Sequence, residues 1–322
     1  MLTDIAVELL EYLLDGKEHA WVELVMALNQ DNALLLSAAE LLMQYDIAVV
    51  FDKDSCRLTD LPSLLSVSKI NSFLLPDYRH QINLINVCLS TESTNAQAMT
   101  SDPGDGFNVF VTELQTSGRG RRGKSWRAPF ASNLLMSVAC QFPYPLQQLT
   151  TLSLWSAIAC HDAIKSIGVS DIGLKWPNDI YVAGKKVAGI LLEAKRLPDG
   201  RNRLIIGMGI NCNQMDGMGI DQPWTSIKLA LGGDVDRAHL AAAVLMQLVD
   251  SFSRAFKSPE QLIQFWQQRD LHLGQQVSIS AIDGVTFVGR HDGISVDGRI
   301  RLLTDTGMRY FNAGEVSLRG TV

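Results

Sequence analysis

Residues 117–126 read SGRGRRGKSW. Four cations, Arg119, Arg121, Arg122 and Lys124, stand among three glycines, Gly118, Gly120 and Gly123. The glycines spell G-x-G-x-x-G. In a doubly wound nucleotide fold that pattern lies between a strand and a helix, so that a pyrophosphate rests on the helix N-terminus. A strand-like run, FNVFVTEL, does precede it. The next residues, KSWRAPFAS, hold Pro129 and no helical stripe, so the dinucleotide fold is excluded. A nucleic-acid tail fits no better, because the basic run is short, single and set between strand-like segments. An anion-binding loop remains. Glycines let backbone N–H groups come close to a ligand. Arginines bring charge and paired donors for phosphate or carboxylate. Such a loop repels itself when empty and is expected to order around a polyanion, with Trp126 closing over a purine face.

Outward from this loop the pattern is α+β. INLINVCL and FNVFVTEL read as strands, and STNAQAM opens a helix capped by Ser93 or Thr94. Residues 149–167 carry one apolar stripe and end at Gly168, a helix with its C-terminal stop. IGLKW, DIYV, KKVAGILLE and RLIIGMGIN come next as strands separated by PN, AG and PDG turns. Separations this short predict hairpins, hence a mixed and mainly antiparallel sheet. Helices are expected near 236–256 and 259–268. The last 50 residues alternate short strands with Gly-centred turns, the pattern of a small β-barrel.

Upstream, residues 4–15, 21–28 and 31–44 read as three short helices, and YDIAVVFDKDSCRLTD as a hairpin. That set predicts a winged helix-turn-helix. Pro62, Ser63, Ser66 and Ser68 mark a boundary within 62–75. The expected domains are 1–65, 66–270 and 271–322.

The chain has 322 residues, 47% hydrophobic and 19% charged, which is globular composition. No apolar run reaches the roughly 20 residues of a membrane span, and the N-terminus has no basic region of a signal peptide. Five cysteines without a C-x-x-C pair fit reduced thiols, so a cytoplasmic location is expected. The net charge of −6 is unevenly spread. Residues 1–60 hold 12 Asp and Glu against 3 Lys and Arg, and the remainder is net positive.

Two further motifs accompany the loop. LKWPND (174–179) places Lys175 and Asp179 on either side of a Pro-Asn turn, and KVAGILLE (186–193) lies on the next strand. The intervening turn would bring Lys175, Asn178, Asp179 and Lys186 to one end of the sheet. A lysine in an apolar strand is costly unless it meets an anion. Asp179 with Asn178 has the oxygen donors for Mg²⁺. The plainer reading makes these residues a hairpin cap and an edge-strand charge.

Taken together, STN (93–95), GRGRRG (118–123) with Trp126, KWPND (175–179), KVAGILLE (186–193), GMGIN (207–211) and GEVSLR (314–319) resemble the biotin–protein ligases, in that family's order, and in particular the larger bacterial type with an N-terminal winged helix. The loop of lipoate ligases, RRxxGGGxV, is absent. The resemblance implies a class II synthetase-like ligase domain followed by an SH3-like barrel. It implies activation of biotin by MgATP to biotinyl-5′-adenylate, then transfer to a lysine of the biotin carboxyl carrier domain of acetyl-CoA carboxylase. By the same resemblance Ser93, Thr94, Asn95, Gln115, Arg119, Gly120, Arg121, Lys186, Gly189 and Gly207 contact biotin. Gly118, Arg119, Arg121, Arg122, Trp126, Lys175, Asn178 and Asn211 serve ATP. Lys186 and Arg121 are the expected catalytic residues and Asp179 the expected Mg²⁺ ligand.

Repressor-type members dimerise and bind an operator through the winged helix. DNA binding needs a basic footprint. Here the expected recognition helix, DNALLLSAAELLMQ, has no Lys or Arg, and Leu34–Leu36 look made for burial. Two readings stand: a ligase that also represses through unusual contacts, or a winged helix without DNA binding that packs on the ligase or a partner. The charge favours the second. A non-catalytic interaction scaffold is a third reading, which the intact motifs oppose.

Overall fold

Thr3 opens the first helix by accepting the Ala6 N–H, and α1 (Asp4–Leu13) buries Ala6, Leu9, Leu10 and Leu13. The computed structural model describes residues 2–142, 149–197, 200–217, 219–258, 260–281, 284–313 and 316–320. The first two residues of the GEVSLR motif, Gly314 and Glu315, lie outside the described residues. After α1 come β1 (His19–Ala20), α2 (Trp21–Leu28), α3 (Asn32–Gln44), β2 (Val49–Phe51) and β3 (Ser55–Leu58). The strands form one small sheet in the order β1-β3-β2. The two-residue β1 went unseen in the sequence because it is too short for a period. Leu35, Ala38, Ala39 and Leu42 of α3 fill the core of this unit, whereas Leu34 is 47% exposed. The expectation of burial for Leu34 is therefore wrong: the helical period turns it away from Leu35 and out of the core.

The stretch expected to be a boundary contains a helix, α4 (Val67–Phe73), whose Ser66 cap accepts the Lys69 N–H. Ile70 and Leu74 are buried in the core of the next unit. The chain just before it is clamped. Glu113 and Arg237 form a buried ion pair at 2.6 Å. Arg237 donates to the Ser63 carbonyl at 2.6 Å, and Glu113 accepts the Leu65 N–H at 2.5 Å.

The central unit continues with α5 (Pro76–Arg79), β4 (Ile82–Thr91), α6 (Thr94–Thr100), β5 (Phe107–Gln115), β6 (Leu134–Phe142), α7 (Leu149–Ser166), β7 (Ile172–Lys175), β8 (Asp179–Val182), β9 (Lys185–Arg196), β10 (Asn202–Ile210), α8 (Ile227–Leu231), α9 (Arg237–Lys257) and α10 (Gln261–Gln267). Seven strands make one sheet, β4-β5-β6-β10-β9-β8-β7. Among the named strands only β4 and β5 run parallel; the other pairs are antiparallel, and the short turns predict this for the hairpins β7-β8, β8-β9 and β9-β10. One face of the sheet, including Val109, Val111, Leu134, Met136, Leu204 and Ile206, lies in one core with the apolar residues of α7 and α9. On the opposite face α6 covers part of the sheet through Ala98, Phe110, Ala139 and Ile205. The rest of that face stays open.

Five strands complete the chain: β11 (Gln276–Ala281), β12 (Thr286–Ile294), β13 (Ile300–Thr304), β14 (Gly307–Phe311) and β15 (Val316–Gly320). They form an antiparallel sheet in the order β14-β13-β12-β11-β15. His291 on β12 meets Asp270 at 2.6 Å, fully buried, and Asp270 also accepts from Trp266 Nε1 at 2.8 Å. This polar knot ties the last sheet to the end of the central unit. Among the described residues no helix is long and apolar enough to cross a membrane.

Candidate active site

Glycine makes the open face of the sheet. Gly207 on β10 pairs with Ser137 on one side and Leu191 on the other, and Gly209 pairs with Gly189. Paired residues share a face, so three glycines line up where side chains would otherwise fill the space. A cavity of about 710 Å³ stands over them. A second cavity of about 340 Å³ adjoins it, and Trp126 and Lys186 belong to both.

At one end α6 points its first turn into the larger cavity. Ser93 occupies the N-cap position but makes no capping hydrogen bond, and its side chain lines the cavity. The Thr94 N–H donates to Gln115 Oε1 at 2.9 Å and its hydroxyl donates there at 3.2 Å. Ser137 Oγ lies 2.7 Å from Thr94 Oγ1 and 2.6 Å from Asn95 Oδ1. Asn95 Nδ2 donates to Glu193 Oε2 at 2.6 Å. A Cβ on Gly207 would stand 2.8 Å from Asn95 Cγ, so this position admits no side chain while Asn95 keeps its place.

SGRGRRGKSW forms a tight hairpin roof. Trp126 N–H donates to the Gly118 carbonyl at 2.8 Å and Gly120 N–H to the Lys124 carbonyl at 2.7 Å. A Cβ on Gly118 would approach the Trp126 carbonyl to 2.5 Å, and Gly123 has φ +73°, so two of the three glycines serve the turn itself. No helix comes after Gly123: residues 124–129 include a single bridge, Ser125 with Arg119. Trp126 lies against the glycine floor, its ring 2.7 Å at Cζ2 from where a Gly209 Cβ would be, and its buried Nε1 meets no hydrogen-bond partner among the described residues. An unmet buried donor costs about 1–3 kcal/mol, which an acceptor on a ligand would recover.

The Pro-Asn turn does converge with Lys186. Lys186 Nζ sits 2.8 Å from Asp179 Oδ1 and 5.7 Å from the Trp126 ring centre. Asn178 donates to the Ile190 carbonyl at 2.6 Å and accepts from Arg121 at 2.8 Å. Arg121 also donates to the Ala313 carbonyl, which brings the C-terminal sheet to the site. Burial lowers the Arg121 pKa, opposed by the charge of Asp179, but a guanidinium remains protonated. Lys175 Nζ reaches the Tyr181 hydroxyl at 3.4 Å. Burial first, and Asp179 second, push the Tyr181 phenol up to about 12, so it keeps its proton. Asn211 lines the smaller cavity beside Trp224 and donates to the Thr225 carbonyl at 3.0 Å.

All the expected residues thus line the two cavities, apart from Gly118, which shapes the roof hairpin beside them. The larger cavity is lined by six cations, Arg119, Arg121, Arg122, Lys124, Lys175 and Lys186, against two carboxylates, Asp179 and Asp221. That concentration of positive charge, in a chain of net charge −6, suits a polyanion. Ser137, Glu193, Asp221 and Trp224 were missed. Ser137 and Glu193 stand at inward positions of strands, legible only once the register is known. The five cysteines lie elsewhere: burial pushes Cys56, Cys140 and Cys212 up to about 12, so none of these three is a ready nucleophile.

Residues 85–212 match the Biotin/lipoate A/B protein ligase family, and residues 272–319 match the Biotin protein ligase C terminal domain. A biotin--[acetyl-CoA-carboxylase] ligase of Mycobacterium tuberculosis is 32% identical over 243 residues, 72% of this chain and 88% of the relative. The bifunctional ligase/repressor BirA of Salmonella typhimurium is 28% identical over 98% of both chains. The solved biotin protein ligase from Aquifex aeolicus in complex with biotin and ATP superposes with a TM-score of 0.62, at 27% identity over 75% of this chain and 99% of that one.

Proposed function

The chain belongs to the biotin–protein ligase family, and from that premise we propose how its own residues carry out the ligation. It activates biotin with ATP and transfers it to a protein. The observation that carries the assignment of roles is the pair of joined cavities over the glycine floor, one end lined by the neutral polar side chains of Ser93, Thr94, Asn95 and Gln115, the other densely cationic. The Ser93, Thr94, Asn95 and Gln115 end takes the ureido ring of biotin, with Gly207 leaving room for the Asn95 amide that meets it. The carboxylate then reaches toward Lys186 and Arg121, where the α-phosphate of ATP arrives. Asn211 and Trp126 flank the adenine.

Attack of the carboxylate oxygen on the α-phosphorus forms the mixed anhydride and expels pyrophosphate. The carrier lysine's amine then attacks the acyl carbon, and AMP leaves. No protein nucleophile takes part, in keeping with the burial of four of the five cysteines and the absence of all five from the cavity linings. Lys186 and Arg121 stabilise charge that develops on the α-phosphate, and Arg119, Arg122 and Lys175 hold the remaining phosphate oxygens. Among the described residues no group of three His, Cys, Asp or Glu is placed to hold a metal alone. This fits Mg²⁺ arriving on the nucleotide, since that ion needs only one or two carboxylates plus phosphates. Asp179 is the candidate ligand, after exchanging its Lys186 partner, and the ion would neutralise phosphate charge.

The order of the N-terminal elements, helix–strand–helix–helix–strand–strand, supports reading residues 1–65 as a winged helix, and the five-stranded sheet supports an SH3-like barrel at 271–322. The Salmonella relative is named a repressor, but residues 18–52 of this chain contain no Lys or Arg and six acids. We read this unit as one that has kept its fold without DNA affinity. Salt-sensitive retardation of the biotin-synthesis operator, with biotin and ATP present, would reverse that reading. The ligase assignment is tested by incubating the protein with labelled biotin, MgATP and a biotin carboxyl carrier domain. Label on the carrier lysine is expected, and none without ATP.

A further inference from the structure

We propose that Glu193 is a positioning residue that ties the roof hairpin to the floor of the biotin site. The strand β9 sends Gly189, Leu191 and Glu193 to one face by its two-residue period. The first two leave or line the cavity; the third brings a carboxylate to its edge. One oxygen of that carboxylate serves two elements. Oε2 accepts from Asn95 Nδ2 at 2.6 Å and lies 3.5 Å from Arg119 Nη2.

The two contacts differ in kind. The Asn95 bond is short and charge-assisted; Asn95 is buried and the Glu193 side chain is largely so. It orients the amide: with Nδ2 committed to Glu193, Oδ1 faces Ser137 at 2.6 Å. The pair with Arg119 is longer, and Arg119 is 52% exposed, so it is weak and reversible. A lid that must open in every turnover needs a contact of that kind. Glu193 therefore sets the Asn95 amide permanently and holds the roof down transiently. A neutral glutamine would keep the first function and lose the second.

This role rests on reading the cavity as the site where the acyl-adenylate forms. The experiment uses the full chain as wild type, Glu193→Gln, Glu193→Ala, Arg119→Gln and the double variant Arg119→Gln/Glu193→Gln. Each is loaded with labelled biotin and MgATP, then chased with unlabelled biotin, and the bound adenylate is counted by rapid filtration. Glu193→Gln is expected to release adenylate about five-fold faster than wild type, the scale of a half-exposed ion pair. Its biotin KM should stay within about two-fold of wild type, while Glu193→Ala raises that KM by roughly ten-fold or more because the Asn95 bond is lost too. In the Arg119→Gln background the Glu193→Gln change should add nothing. Wild-type release from Glu193→Gln, or an equal acceleration with and without Arg119, overturns the proposal. If wild type itself traps no adenylate, the reading of the cavity falls; trapping with unaltered release in Glu193→Gln removes only the role of Glu193.

Discussion

Gly207→Ala places one methyl group at the most crowded point of the floor. The added Cβ would sit 2.8 Å from Asn95 Cγ and 2.9 Å from Asn95 Nδ2. Asn95 has little freedom to yield, since Ser137 and Glu193 hold it on both sides at 2.6 Å. Gly207 cannot shift either, because it lies inside a nine-pair ladder between β6 and β9. Overpacking of this type costs about 1–3 kcal/mol. If Asn95 swings out instead, the charge-assisted bond to Glu193 is lost, at a similar cost of about 1.5–3 kcal/mol. Either way biotin meets a displaced amide, and each 1.4 kcal/mol is about ten-fold in affinity, so the biotin KM should rise roughly 10- to 100-fold. Pyrophosphate release measured against biotin concentration at saturating MgATP reads this directly, and kcat should change far less than KM. Gly233→Ala is the control, since nothing lies within 4 Å of its added Cβ. A Gly207→Ala enzyme with wild-type biotin KM would refute the geometry argued for Asn95.

Lys186→Ala should lower the rate of pyrophosphate release by about 10²- to 10³-fold, the usual effect of deleting one preorganised donor, while circular dichroism stays native; a near-normal rate would remove Lys186 from the chemistry. Arg237→Ala strands the Glu113 carboxylate in the core and should destabilise the protein by about 3–5 kcal/mol in urea unfolding; a loss under about 1 kcal/mol would show that the pair is not what clamps the chain before α4. His19 gives a pH dependence. Burial lowers its pKa, but hydrogen bonds to Asp15 at 2.9 Å and Glu23 at 3.0 Å outweigh this and raise it. A raised folded-state pKa contributes stability that is complete below the unfolded value of about 6.5 and disappears as pH climbs through the folded value. The N-terminal unit should therefore melt lower at alkaline than at mildly acidic pH, and His19→Gln should flatten that trend.

Local periodicity was enough for α1, α2, α3, α7 and the hairpin strands, because each carries its own apolar repeat and turn residues. The rejection of a nucleotide fingerprint at Gly118–Gly123 also stood on local grounds, the lack of a helix after it. The features hidden from the sequence were long-range. α4 falls in a Ser- and Pro-bearing stretch that resembles a linker, and its helix is stabilised by burying Ile70 and Leu74 against a distant core. Leu34 reads as core by its chemistry and is exposed by its phase. Ser137 and Glu193 belong to the site through the pairings Ser137–Gly207 and Glu193–Ile205, which no pattern within β6 or β9 announces. Arg237 and Glu113 meet across 124 residues of chain.

Biotin transfer to a carrier lysine is the reaction on which every assigned role depends. Purified protein, labelled biotin, MgATP and a biotin carboxyl carrier domain are combined, and label on the carrier lysine is measured beside the same mixture with Lys186→Ala. Wild type should biotinylate the carrier in an ATP-dependent way and Lys186→Ala should fall behind by about 10²-fold or more. A carrier left unlabelled by wild type, or labelled equally by both proteins, would contradict those roles.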